Sequence, residues 1–314
     1  MQYRVLASTG MQVSRLCFGA LTISPLQANL PLAEGAHIIR TALEAGVNFI
    51  DTAELYNNYH YLREAIRGYQ GEVIIASKCY AYTSRGMQDS LELALRELDR
   101  DYIDIFMLHE TESILTIRGH WEAIEFLLQA KQKGLVRAIG ISTHNVEGVL
   151  GAASVPEIEV IQPLINMTGI GIKGGNTQDM LAAIQTAAKA GKGLYGMKAL
   201  GGGHLLARPE EAFAFILSIP ELASVAVGMS TKEEVVYNTC HFSGQPVPEK
   251  VKAKVRRQPR RLLIEDCEGC GKCLSHCSSG ALRLDEGKAV VDHSLCTLCG
   301  YCSRACPEFC IKVI

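Results

Sequence analysis

Val73-Ile74-Ile75-Ala76-Ser77-Lys78 is followed by Arg85 to Leu98, with apolar side chains at helical spacing, and then by Tyr102-Ile103-Asp104-Ile105-Phe106-Met107-Leu108-His109. The first and third pieces are short and apolar, and each ends on a polar side chain; the middle one is amphipathic. The unit reads strand, helix, strand. Outward from it, further strands are expected at Leu16 to Gly19, Asn48 to Asp51, Val136 to Ile141, Glu159 to Gln162, Leu194 to Lys198 and Ser224 to Val227, with intervening helices such as Ala33 to Ala45. Eight such units in roughly 225 residues predict an α/β fold of the (β/α)8 TIM-barrel type rather than an open doubly wound sheet. Ahead of them, Tyr3 to Ala7 and Met11 to Arg15 flank Ser8-Thr9-Gly10 and predict a hairpin over the barrel's bottom.

The 314 residues are 48% hydrophobic, with 31 Lys and Arg against 33 Asp and Glu, which fits a globular chain able to bury a full core. No apolar run approaches the ~20 residues of a membrane span, and Met1 to Ala7 lacks the apolar stretch of a secretory signal, so a cytoplasmic location is expected. Charge is uneven. Residues 1–249 carry 19 basic and 26 acidic side chains, whereas residues 250–266 carry seven and two. That run (Lys250, Lys252, Lys254, Arg256, Arg257, Arg260, Arg261) reads as a solvated linker or helix face. Its functional alternative is a cationic patch for an acidic electron-transfer protein; nucleic acid is disfavoured because no recognition motif accompanies the charge.

Nine of the 12 cysteines crowd into Cys267 to Cys310, leaving Cys17, Cys79 and Cys240 as buried thiols elsewhere. Eight of the nine fall into two runs, Cys267, Cys270, Cys273, Cys277 and Cys296, Cys299, Cys302, Cys306, the second followed by Pro307. Both are C-x2-C-x2-C-x3-C. In this spacing three thiolates hold one 4Fe-4S cluster and the fourth crosses to the other, so two clusters are expected. Zinc would want four ligands in two pairs. The runs repeat with an offset of 29 residues, which places Cys310 opposite Ala281 and makes it a packing residue rather than a ligand. The tail thus resembles a bacterial-type two-cluster ferredoxin of α+β fold. Expected domains are residues 1–243 (barrel), 244–266 (basic linker) and 267–314 (ferredoxin-like).

Barrel chemistry sits at the C-terminal ends of the strands. Asp51, Lys78 and His109 end three of them, and Tyr56 follows in the loop after Asp51. Through Asn48 to Tyr56, Ala76-Ser77-Lys78 and Met107-Leu108-His109, the barrel resembles the aldo-keto reductases. The resemblance implies that Tyr56 is the general acid that protonates a carbonyl oxygen. Lys78, aimed by Asp51, would favour the phenolate, and His109 would donate a hydrogen bond to the same oxygen.

The same resemblance implies nicotinamide contacts. Ser142, Thr143 (where asparagine is usual) and Gln162 would hold the carboxamide, and Met197 takes the place of a stacking aromatic ring. Gly201 and Gly202 of the Gly201-Gly202-Gly203 triplet would approach the pyrophosphate, and Gly228, Ser230, Glu234 and Asn238 would meet the adenosine end. NADPH-preferring relatives carry basic residues at the positions of Gly228 and Glu234, so NAD as well as NADP is expected, with Lys232 a compensating cation. Gly169-Ile170-Gly171-Ile172-Lys173-Gly174 spells G-x-G-x-x-G, but no acidic residue follows at the Rossmann distance, and it reads as a flexible loop.

The leading expectation is a nicotinamide-dependent oxidoreductase interconverting a small carbonyl and an alcohol, with two clusters that relay electrons, regulate or brace the fold. Two alternatives stay open. One is single-electron transfer between the clusters and a bound FMN or reducible substrate; the other is a cluster-based redox sensor.

Overall fold

The computed structural model describes all residues from Met1 to Ile314. Strands β1 (Tyr3–Val5) and β2 (Gln12–Ser14) pair antiparallel as the expected hairpin. Eight parallel strands then close a barrel: β3 (Leu16–Gly19), β4 (Phe49–Asp51), β5 (Ile74–Cys79), β6 (Ile103–Leu108), β7 (Val136–Thr143), β8 (Val160–Pro163), β9 (Gly193–Met197) and β10 (Ser224–Gly228). Closure is made by β10 against β3, with Val225 opposite Leu16.

The period-2 alternation of the strands decides what faces inward. Phe49, Ile74, Ala76, Ile105, Met107, Ala138, Val160 and Tyr195 fill the barrel, together with Leu6, Met11 and Val13 from the hairpin at its lower end. Ile50, Ile75, Phe106, Ile139 and Ile161 point outward against the helices. Continuing the inward parity by two residues brings Asp51, Lys78 and His109 to the top of the interior. The helices are α1 (Leu32–Glu44), α2 (Tyr59–Ile66), α3 (Ser84–Leu98), α4 (Ile114–Gly119), α5 (Trp121–Gln132), α6 (Val146–Ala153), α7 (Thr177–Lys189), α8 (Pro209–Leu217) and α9 (Lys232–Ser243). α9 starts beside the barrel mouth, where Thr231 Oγ1 accepts from Glu234 N at 3.2 Å as its N-cap.

The stretch read as a linker is structured. Helix α10 (Glu249–Arg256) lays Val251 and Val255 on the barrel core and leaves Lys254 and Arg256 exposed, so it does present a solvated basic face. Strand β11 (Leu262–Ile264) then pairs antiparallel with β14 (Ile311–Val313), so a strand of the C-terminal module precedes its first cysteine. The second pair is β12 (Leu282–Asp285) with β13 (Lys288–Val291), and α11 (Tyr301–Ala305) runs through the second cysteine run. Leu262, Leu282, Ala289, Ile311 and Val313 form a small core around Cys273 and Cys302.

This module sits on the barrel's C-terminal rim. Phe309 is buried against Leu164 and Met197 at the ends of β8 and β9. The glycine triplet explains the closeness: a Cβ on Gly203 would lie 1.8 Å from the Val313 carbonyl oxygen, and one on Gly202 would lie 2.8 Å from the Phe309 ring. Gly202 and Gly203 thus admit the C-terminal strand. Gly171 of the G-x-G-x-x-G stretch likewise abuts Phe309. That loop is tied down rather than flexible: Asn166 Oδ1 accepts from Thr168 N and Ile170 N, and Asn166 Nδ2 donates to Ile170 O.

Candidate active site

Lys78, 1% exposed, donates to Asp51 Oδ1 and Oδ2, both at 2.8 Å, and to the Thr52 carbonyl at 2.9 Å. Asp51 also accepts from Tyr195 OH and Gln162 Nε2, each at 2.9 Å. A buried ammonium with three acceptors and a carboxylate with four donated bonds hold each other in one geometry. Tyr195 is a member that sequence reasoning missed; its inward parity on β9 was the available signal.

The Lys78 ammonium lies 5.2 Å from the centre of the Tyr56 ring, and that ring meets His109 edge-on at 5.9 Å between centroids. His109 stacks on Tyr80 at 4.5 Å. Burial holds the Tyr56 phenol well above its usual range, reinforced by the negative charges of Asp51 and Glu110. These contributions outweigh the expected easing by Lys78. Tyr56 therefore keeps its phenolic proton across the physiological range. Burial, followed by the charge of Lys78, holds His109 well below the ordinary histidine value, so its imidazole is neutral, and its buried Nδ1 has no protein partner.

A cavity of about 620 Å³ opens from Asp51 and Tyr56 across the rim. Of the expected cofactor residues, Met197, Gly202, Gly228, Ser230, Glu234 and Asn238 line it, whereas Ser142, Thr143, Gln162 and Gly201 lie behind its wall. Ser142 Oγ accepts from Glu110 N at 2.9 Å, and Thr143 Oγ1 accepts from Asn145 N at 3.0 Å, so both hydroxyls brace loops. Gln162 is buried with its Oε1 unpaired, an acceptor left over beside the tetrad.

Glu234 behaves differently from expectation. Its Oε2 accepts from Ser230 N (2.7 Å) and Ser230 Oγ (3.0 Å), and its Oε1 accepts from Arg260 Nη2 at 3.1 Å. The carboxylate is thus paired with a cation and hydrogen-bonded within the chain at the position where a basic residue marks NADPH-preferring relatives. Gln258, Arg260 and Arg261 line the same cavity, as do Lys312, Val313 and Ile314 of the module. Sequence reading missed these six because only the folded chain returns them to the barrel.

In the module, Cys267, Cys270, Cys273 and Cys306 surround a small void of about 50 Å³. Gly269 N and Ala289 N point at Cys267 Sγ (3.4 and 3.3 Å), and Cys310 N points at Cys306 Sγ (3.3 Å). Amide donors aimed at sulfur suit thiolates carrying cluster charge, so the residues present fit the expected group. Cys302 is in electrostatic contact with Cys277, Cys296 and Cys299. Cys306 thus shares the void with the first three cysteines of the other run. Cys310 also lines the void, but its Sγ donates to the Asp266 carbonyl at 3.3 Å, and burial pushes its thiol up to about 12.

Residues 15–216 match the model of the aldo/keto reductase family. The chain belongs to that family. Residues 266–310 of this aldo/keto reductase match the 4Fe-4S dicluster domain. Among curated proteins, aldo-keto reductase YhdN of Bacillus subtilis is 27% identical over 183 residues, covering 53% of this chain and 54% of its own. L-galactose dehydrogenase of Arabidopsis thaliana is 28% identical over 153 residues, 45% of this chain and 48% of its own. The chain thus spans about half the length of the curated relatives it matches. Aldo-keto reductase AKR11C1 of Bacillus halodurans superposes with a TM-score of 0.67 at 21% identity, over 82% of this chain and 96% of its own, and shares the fold. No helix of the reductase is long and apolar enough to cross a membrane.

Proposed function

We propose that this aldo/keto reductase interconverts a small carbonyl compound and its alcohol with a nicotinamide dinucleotide, using Tyr56 as general acid. The observation that carries the reading is the junction of a protonated, half-buried Tyr56 and a neutral His109 with the Lys78–Asp51 pair at one end of a cavity of about 620 Å³. The cavity's fit to a dinucleotide rests on the unpaired Gln162 Oε1 beside the tetrad and on the cations Arg260, Arg261 and Lys312 in its wall. When bound, the nicotinamide supplies hydride to the carbonyl carbon.

The chain's own part is proton and charge management. Tyr56 gives its phenolic proton to the carbonyl oxygen as negative charge develops there. His109, uncharged, donates a hydrogen bond to the same oxygen and fixes its direction. Lys78 stabilises the phenolate left behind and is kept charged and immobile by Asp51, which Tyr195 and Gln162 hold in turn. Met197 would pack against one side of the nicotinamide end, and Phe309 packs on Met197. The cysteine sets would hold two 4Fe-4S clusters, Cys267, Cys270, Cys273 and Cys306 the first, Cys296, Cys299, Cys302 and Cys277 the second.

Tyr56→Phe tests the reading. Nicotinamide-dependent carbonyl reduction is expected to fall by about 10²- to 10⁴-fold while the visible absorbance of the clusters stays unchanged. Undiminished turnover would remove Tyr56 from the chemistry. A second reading, single-electron exchange between the clusters and the barrel site, is favoured by one contact: Phe309, between Cys306 and Cys310 in the chain, packs directly on Met197.

A further inference from the structure

Lys198 immediately follows Met197 and is the cavity's one cation next to the tetrad without an ion pair. Lys78 is held by Asp51, and Lys312 is paired with Glu265 at 2.7 Å. Lys198 Nζ has no carboxylate or carbonyl acceptor; its nearest defined partner is the Phe309 ring, whose centre lies 5.7 Å away. Lys312 approaches the same ring at 5.9 Å.

The backbone at Lys198 is in the left-handed region, with φ +61°, a conformation that costs a non-glycine residue energy and clusters at functional sites. It is held by Gly201 N donating to the Lys198 carbonyl at 2.7 Å. The result is that the side chain enters the cavity shared with Asp51 and Tyr56. Its charge also reaches His109 and His144, whose imidazoles it helps keep neutral. An uncompensated cation of this kind lacks an anion. Burial, followed by the charge of Lys312, pulls Lys198 down to about 8, so an arriving anion would also restore its proton affinity.

We propose that Lys198 binds a carboxylate carried by the reductase's carbonyl substrate, with Phe309 and Lys312 of the cluster module forming the facing wall. The inference rests on the reading of the tetrad as a carbonyl site and narrows its substrates to carboxylated carbonyl compounds and the corresponding hydroxy acids. The groups facing Lys198 are Lys312, Glu110, Glu265, Lys78 and His144. Glu265 is spent on Lys312, and Glu110 lies 3.8 Å from the neutral His144. With Lys78 likewise held by Asp51, an incoming carboxylate meets the one ammonium here that has no carboxylate partner of its own.

The test is binding calorimetry on the cluster-loaded, full-length protein with reduced dinucleotide present, so that the alcohol finds no hydride acceptor, using para-carboxybenzyl alcohol and benzyl alcohol as probes. The native protein is expected to bind the carboxylated probe about tenfold or more tighter, the scale of a charge-assisted hydrogen bond. That ratio is expected to collapse toward one in Lys198→Met, to survive in Lys198→Arg, and to fall as pH rises past about 8, where the free ammonium loses its proton. A native ratio near one would overturn the proposal. So would a ratio that persists in Lys198→Met, including the case in which that variant loses dinucleotide affinity instead, which would make the lysine a pyrophosphate contact. Because the ratio is read without turnover, its failure is distinguishable from failure of the Tyr56→Phe experiment.

Discussion

Replacing Asp51 with asparagine keeps the shape of the tetrad's anchor and removes its charge. Lys78 would then sit 1% exposed with no counter-ion, although the asparagine oxygen could still accept from Tyr195 OH or Gln162 Nε2. Breaking a buried ion pair by removing one partner costs about 3–5 kcal/mol, a large share of the ~5–15 kcal/mol that stabilises an ordinary domain. The assay is anaerobic urea unfolding followed by fluorescence of Trp121, the only tryptophan, which lies on α5 of the barrel, with cluster absorbance recorded separately. The decisive comparison is the double variant Asp51→Asn with Lys78→Met. If an uncompensated charge causes the loss, the double variant is expected to recover at least half of it, because the stranded ammonium is gone. A loss under about 1 kcal/mol in Asp51→Asn, or a double variant no more stable than Asp51→Asn alone, would refute the pairing argument.

Other consequences follow from the same geometry. Arg260→Ala strips Glu234 of its counter-charge beside the expected adenosine end, and NADPH affinity is expected to fall about tenfold more than NADH affinity in fluorescence titration; equal losses would place Arg260 away from the 2'-phosphate. Gly203→Ala meets the Val313 carbonyl at 1.8 Å from a residue at φ +92°, so displacement of β14 and a lowered melting temperature are expected in calorimetry; an unchanged melting temperature would show that the strand moves freely. Cys306→Ala is expected to lose about half of the iron and Cys310→Ala essentially none, measured as iron and sulfide per chain. The raised Tyr56 phenol must be protonated to act, so kcat for an uncharged carbonyl probe, which makes no demand on Lys198, is expected to show no loss that titrates below pH 10.

The barrel was legible because its signals are local. Apolar runs with β-branched residues set the strands, and period-2 parity carried Asp51, Lys78 and His109 inward without any knowledge of their neighbours. The cysteine runs were legible for a similar reason: their spacing fixes which thiols can share a cluster. Tyr195 was hidden because an inward tyrosine and a core tyrosine look alike until Asp51 is seen against it. The glycine triplet was half legible, because a phosphate and a carbonyl oxygen make the same demand on a backbone, the absence of a Cβ, and only the folded chain shows that Val313 comes against Gly203. Gln258, Arg260 and Arg261 read as part of a solvated basic run, since nothing in their own sequence says that β11 and β14 bring them back over the barrel. Glu234 was placed at the adenosine end by resemblance, whereas its bonds to Ser230 and Arg260, seen only in the folded chain, decide what its charge can do.

The central claim is that reduction at this site is a hydride transfer completed by a proton from Tyr56, with the cluster module walling the cavity. Its most direct test is turnover, under anaerobic conditions, with a nicotinamide dinucleotide deuterated at its hydride-donating carbon and a carbonyl acceptor, followed by mass spectrometry of the alcohol. The account predicts deuterium on the carbinol carbon of the product. Hydrogen drawn from solvent at that carbon, with cluster reduction preceding product formation, would contradict it and establish a route through single electrons.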